Sequence, residues 1–75
     1  MNADQRSVLS ILADYPCGLH VWDVARGMQR GLLLSIYRGR AGRILSELEH
    51  KRFVARTEGR PWHLTGNGML ALDQE

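Results

Sequence analysis

The chain has 75 residues, of which 44% are hydrophobic and 24% charged; this composition is typical of one small globular domain and excludes a largely disordered segment. The longest apolar run is LLL at 32–34, the N-terminus shows no signal-peptide pattern, and the single cysteine, Cys17, excludes an internal disulfide framework, so we expect a soluble, cytoplasmic protein. The net charge is only +2, but residues 38–60 hold seven of the ten basic and three of the eight acidic side chains, which makes this segment +4 and the remainder −2.

Helix 1 is predicted over about residues 4–14. Apolar side chains recur there at the three- and four-residue spacing of one helix face. Asn2 or Asp4 can cap the start, because a side-chain oxygen at that position accepts from a free backbone N–H. Pro16 and Gly18 follow the last apolar residue and end the pattern.

Helix 2 is predicted over about residues 21–29, after a short extended piece at Leu19–His20. Its apolar face is expected to consist of Val21, Trp22, Ala25 and Met28, with Val24 beside it. This pattern predicts that Trp22 lies in or beside the core and does not stack on a nucleic-acid base.

Helix 3 is predicted over about residues 38–51 as an amphipathic helix with a basic N-terminal half. One side carries an apolar stripe of Ala41, Ile44, Leu45 and Leu48. At about 100° per residue, the other side collects Arg40, Arg43, Glu47 and His50. Ser35 could cap the start, whereas Gly39 and Gly42 lower the helix propensity.

A β-hairpin is predicted over about residues 53–65. Two short runs with β-branched and aromatic residues flank a turn at Gly59, which can adopt a positive φ. Alternation along the second strand puts Trp62 and Leu64 on the inner face and His63 on the outer face. We therefore expect Trp62 to pack against the helices.

Helix 4 is predicted over about residues 66–73, with Thr65 as its cap. We expect it to bury Met69, Leu70 and Leu72. The order helix, short strand, helix, helix, hairpin, helix predicts one mostly α domain with a small β-hairpin, of the α+β class, over residues 1–75. Helix 2, a turn and helix 3 would form a helix-turn-helix, and the hairpin that follows would be its wing.

The run ILSELEHKRFVARTEGRPWHLTGNGMLAL at 44–72 follows the pattern Leu-x-x-Leu-Glu-x-x-Gly-hydrophobic-Val-x-Arg, a variable tip, then aromatic-x-Leu-Thr-x-x-Gly. The matching positions are Leu45, Leu48, Glu49, Val54, Arg56, Trp62, Leu64, Thr65 and Gly68. The run resembles the core of winged helix-turn-helix regulators of the MarR and PadR type. The resemblance implies a domain that places helix 3 in the major groove of DNA and reaches the neighbouring backbone or minor groove with the wing.

Two departures from the family pattern bear on function. Arg52 stands where the family commonly has Gly, which predicts a tighter or differently shaped turn before the first wing strand. The chain ends soon after helix 4, whereas family members carry further helices for dimerisation and, in some, an effector pocket. We therefore expect no small-molecule effector site and no cofactor.

The charge asymmetry indicates an anionic partner, although a solvated face without a partner is the alternative. Arg40 and Arg43, one turn apart, are candidates for base contact, because the Arg fork matches guanine O6 and N7. The remaining candidates, which would contact bases, phosphates or the minor groove, are Tyr37, Arg38, Lys51, Arg52, Arg56, Arg60 and His63. Alternatively, Arg43 could pair with Glu47 and Arg56 with Glu58 as surface ion pairs.

No catalytic or metal site is predicted, because Cys17 and His20 are too few for a metal and no nucleophile or phosphate-loop motif is present. We predict a protein that binds double-stranded DNA, is not an enzyme, and regulates transcription. It could form a homodimer through helix 1 and helix 4. The alternatives are a winged-helix module for protein–protein interaction and a protein that coats nucleic acid without reading its sequence.

Overall fold

A computed structural model describes residues 1–29 and 33–74 of the chain. Its elements, in chain order, are α1 (Ala3–Ala13), α2 (Val21–Met28), α3 (Leu34–His50), β1 (Val54–Ala55), β2 (His63–Leu64) and α4 (Gly66–Asp73). The two strands form an antiparallel hairpin. The fold is therefore mostly helical with a small sheet, as expected for the α+β class. Within the described ranges, no helix is both long and apolar enough to cross a membrane.

A capping box starts α1. The Gln5 N–H donates to Asn2 Oδ1 at 2.8 Å, and the Asn2 N–H donates to Gln5 Oε1 at 3.1 Å. This reciprocal pair satisfies two backbone donors that a helix start leaves free. Asn2 is thus the cap, and Asp4 lies in the first turn.

The segment between α1 and α2 is tied to the hairpin. Gly18 has a φ of +91°, and a Cβ at that position would lie 2.5 Å from the Trp62 carbonyl oxygen. The next residue, Leu19, exchanges two backbone hydrogen bonds with Trp62, each 2.8 Å long. The extended piece predicted at Leu19 is therefore present as a bridge to the hairpin.

The core lies where α1, α2 and α3 meet the hairpin. Its buried side chains are Val8, Leu9, Leu12, Val24, Ala25, Tyr37, Ala41, Ile44, Leu45, Leu48, Val54 and Trp62. The apolar stripe predicted for α3 is fully inside, and Trp62 packs against the helices as expected. Leu64 is half-buried and His63 exposed, in agreement with the predicted alternation.

The start of α3 differs from the predicted range of 38–51. The helix begins at Leu34, with Leu33 at the cap position, so Ser35 is not the cap. Leu34 and Tyr37 pack on the core, and this burial extends the helix by one turn. Tertiary contacts of this kind outweigh the low helix propensity of the two internal glycines.

The predicted apolar face of α2 is wrong for Trp22 alone, because Val21 and Met28 are half-buried against the core as expected. Val24 and Ala25 are fully buried, whereas the Trp22 side chain is 45% exposed and lies outside the core. Five of the eight residues of this helix are apolar, so several different stripes fit the sequence equally well. Packing against α1 and α3 together determines which of these stripes is buried.

The expectation that α4 buries Met69, Leu70 and Leu72 is wrong for the first two. Met69 and Leu70 are each 59% exposed, and only Leu72 is half-buried. The buried residue of this helix is Gly68, where an added Cβ would collide with the Phe53 carbonyl oxygen. Because the Gly68 side of α4 is the one that approaches Phe53, its larger neighbours are turned away from the core.

Candidate nucleic-acid interface

Seven cations of residues 38–60 are exposed on α3, on the turn that follows it and on the hairpin. They are Arg38, Arg40, Arg43, Lys51, Arg52, Arg56 and Arg60, and are called the seven cations below. Within residues 1–29 and 33–74, the ion pair present joins Arg26 to Asp23 on α2, at 2.9 Å. None of the seven cations is therefore neutralised by a carboxylate in this part of the chain, and the alternative pairs Arg43–Glu47 and Arg56–Glu58 are not formed.

Three of the seven cations lie over aromatic rings. The distances from the guanidinium carbon to the ring centroid are 6.0 Å for Arg38 and Trp22, 5.5 Å for Arg40 and Tyr37, and 4.7 Å for Arg56 and Trp62. A ring face attracts a guanidinium group through its quadrupole but leaves the positive charge in place. Such contacts restrict the arginine side chains and keep the charge available to an external anion.

The arginines of α3 do not share one face. Arg43 projects away from the buried stripe of Ala41 and Leu45. Arg38 lies on the flank toward α2, over the Trp22 ring. Arg40 lies on the other flank, where it lines a depression together with Asp4 and Ser7 of α1, Met28 of α2 and Tyr37. Of the two candidates for base contact, Arg43 alone occupies the centre of the outer face.

Two aromatic residues differ in burial from what was predicted for them. Tyr37, expected to contact DNA, is only 7% exposed and belongs to the core, because its position on α3 aligns with the apolar stripe. Trp22, expected in or beside the core, is 45% exposed and lies beside Arg38. Trp22 is thus a surface residue that the sequence interpretation missed; the available signal was the excess of apolar residues in α2 over what one helix face can bury.

The turn after α3 presents two cations in different backbone conformations. Lys51 has a φ of −83° at the end of the helix, whereas Arg52 has a φ of +63°. The Arg52 N–H donates to the Glu49 carbonyl oxygen at 2.9 Å, and the Phe53 N–H donates to the Leu48 carbonyl oxygen at 3.0 Å. This is the Schellman motif, in which glycine is the usual left-handed residue. The turn therefore has the conformation that a glycine would adopt, with an arginine in its place.

The hairpin tip holds Arg60 in solvent. Gly59 has a φ of +75°, and an added Cβ there would meet no atom within 4 Å. The Arg60 N–H donates to the Thr57 carbonyl oxygen at 2.8 Å and closes the turn. Arg60 and the exposed His63 line one shallow depression. The tip can therefore approach a second molecule without moving the body of the domain.

A scan of protein-family models found no match to the chain, and searches among curated proteins and among solved structures found none either. The resemblance to winged helix-turn-helix regulators therefore stays a prediction, which depends on the residues that match the pattern. Among the residues that the structure describes, no three His, Cys, Asp or Glu side chains lie close enough together to hold a metal ion.

Proposed function

We propose that the chain is a winged helix-turn-helix domain that binds double-stranded DNA and regulates transcription. In this proposal α2 and α3 are the helix-turn-helix, and the hairpin of β1 and β2 is the wing. The observation that carries it is the exposure of the seven cations without a carboxylate partner in the described residues. Unpaired cations release the counterions of phosphates on contact, which is the main source of affinity for DNA.

Each part of this surface has a role in the proposal. Arg43, at the centre of the outer face of α3, contacts a base edge in the major groove. Arg38 and Arg40, on the two flanks, contact the phosphates on either side, and the turn after α3 adds two further phosphate contacts. Arg60 at the hairpin tip reaches the neighbouring backbone or minor groove.

The exposed apolar residues Tyr15, Met69 and Leu70 support self-association as part of the same proposal. They lie at the end of α1 and on α4, and Tyr15 and Met69 line one groove. We call them the α1–α4 apolar surface. A second copy packed here would present two helices to neighbouring half-sites, the usual arrangement for helix-turn-helix dimers.

The proposal is tested by replacing Arg40 and Arg43 together with alanine and titrating a duplex at several salt concentrations. We expect the double variant to bind more weakly and to have a salt slope smaller by about one for each phosphate that is no longer neutralised. Its melting temperature should be unchanged, because both side chains are exposed. The matched control is Arg6→Ala, which removes an exposed arginine from α1. Wild-type affinity that does not fall as salt rises would contradict the proposal.

A further inference from the structure

The first turn of α3 exposes an apolar side chain among cations. Ile36 is 43% exposed, and Leu33 beside it is more exposed still. Ile36 precedes Arg43 by seven residues, or two turns, so both side chains lie on the outer side of the helix, and Arg40, four residues after Ile36, borders them on the flank. Among the residues that the structure describes, the core contacts of the first turns of α3 are made by Leu34 and Tyr37, and Ile36 is outside the core.

An apolar group between unpaired cations favours a partner that is anionic and carries apolar groups in a regular place. Duplex DNA meets this description, since the C5-methyl group of thymine projects into the major groove between two rows of phosphates. Residues near the start of a recognition helix are also the ones that reach base edges. The position of Ile36, with the charges of Arg40 and Arg43 behind it, is complementary to such a surface.

We infer that Ile36 is a specificity-determining residue that contacts the methyl group of a thymine in the bound duplex. This inference rests on the proposed function and extends it from DNA binding to the recognition of a thymine-containing site. The rise of α3 separates Ile36 from Arg43 by about 10 Å along the helix axis. At about 3.4 Å per base pair, a thymine contacted by Ile36 lies about three base pairs from a guanine contacted by Arg43.

The test begins with a selection from random duplexes by the 75-residue chain. Each thymine of the selected duplex is then replaced by uracil, which keeps the base pair and removes the methyl group. We expect one such replacement to weaken wild-type binding about fourfold, the effect of exposing one buried methyl group. Ile36→Ala should bind the thymine and uracil duplexes equally. Arg6→Ala, which shortens an exposed side chain on α1, should keep the wild-type difference.

The outcomes separate this inference from the proposed function. Equal affinity for unrelated duplexes, or insensitivity of the wild type to uracil at every position, overturns the inference and leaves DNA binding intact. A difference between thymine and uracil that persists in Ile36→Ala also overturns it. If Ile36→Ala instead changes the sedimentation of the free protein, Ile36 belongs to an interface between copies and the inference is overturned. Absence of binding to any duplex overturns the inference and the proposed function together.

Discussion

Gly68 allows α4 to pack closely against the residue before β1, because it carries a hydrogen atom in place of a side chain. A Cβ at this residue would collide with the Phe53 carbonyl oxygen, which is backbone and cannot rotate away. We expect Gly68→Ala to lower the free energy of unfolding by about 1–3 kcal/mol through overpacking, measured by urea denaturation.

The control for Gly68 is its neighbour in the same helix turn. A Cβ at Gly66 would meet no atom within 4 Å. Gly66→Ala should therefore leave stability unchanged or raise it by up to about 1 kcal/mol, because alanine is the better helix former. Equal denaturation midpoints for the two variants would contradict the role given to Gly68.

Arg52 occupies a backbone conformation that favours glycine. At a φ of +63° a residue with a Cβ costs about 1–2 kcal/mol, so Arg52→Gly should stabilise the fold by roughly 1 kcal/mol in thermal or urea unfolding. The same variant should bind DNA more weakly, because it can no longer neutralise a phosphate. Opposite signs for stability and affinity are the expected result.

Lys51→Gly provides the matched comparison for Arg52→Gly. It removes the same charge from the adjacent residue, but Lys51 has a φ of −83°, which glycine does not favour. This variant should lose stability by about 0.5–1 kcal/mol. A loss of stability in Arg52→Gly of the same size would show that the left-handed conformation carries no strain.

At the scale of elements, the two tryptophans divide into a surface residue and a core residue. Trp62→Ala should destabilise the domain by about 3–5 kcal/mol, because a buried ring that joins the hairpin to the helices is removed. Trp22→Ala should change stability by about 1 kcal/mol or less, since it removes only an exposed interaction with Arg38.

Trp22 is also expected to affect the affinity for duplex DNA. Trp22→Ala releases the Arg38 side chain, so we expect weaker binding to duplex DNA at an unchanged fold, as judged by circular dichroism and fluorescence titration. A variant that melts as early as Trp62→Ala would place Trp22 in the core after all.

Residue spacing and capping groups along the chain were sufficient to predict several features of the fold. The stripe of α3 has one solution at helical spacing, the Thr65 hydroxyl is a capping group, and the alternation in β2 orients Trp62. The face of α2 and the exposure of Met69 on α4 were not predictable in the same way. Both depend on which side a neighbouring element approaches, and a single sequence with many apolar residues does not contain that information.

The sequence predicts which residues form the candidate site better than it predicts how they are arranged in space. The concentration of charge in residues 38–60 is visible in the sequence, and the structure exposes all seven cations. The outward direction of Arg43 follows from the apolar stripe. The separation of Arg38 and Arg40 onto opposite flanks follows from helix geometry, because two successive steps of about 100° turn the side chain to the other side. The burial of Tyr37 depends on the earlier start of α3, which packing decides.

The α1–α4 apolar surface and the seven cations are expected to serve two different interactions, self-association and DNA binding. We expect the wild type to self-associate with rising concentration in analytical ultracentrifugation. Replacing Met69 and Leu70 together with serine should yield a monomer with an unchanged melting temperature, because both side chains are 59% exposed. The duplex affinity of this monomer should be lower, since each complex then engages one half-site instead of two.

A control for self-association lies at the start of α3. Leu33→Ser removes another exposed apolar side chain and should leave the association constant unchanged. A wild type that remains monomeric at every accessible concentration would contradict self-association. The α1–α4 apolar surface would then be a candidate contact for a different protein.

Thr65 connects the turn after α3 to the first turn of α4. Its hydroxyl donates to the Arg52 carbonyl oxygen at 2.6 Å and accepts from the Gly68 N–H at 3.1 Å, while its own N–H donates to the Phe53 carbonyl oxygen at 3.1 Å. We therefore expect the turn that carries Arg52 and the first turn of α4 to open together in hydrogen exchange. If DNA and a second copy bind as proposed, a phosphate that displaces this turn would alter the α4 cap. Each partner would then change the affinity for the other by the same factor, and Thr65→Ala should reduce that coupling.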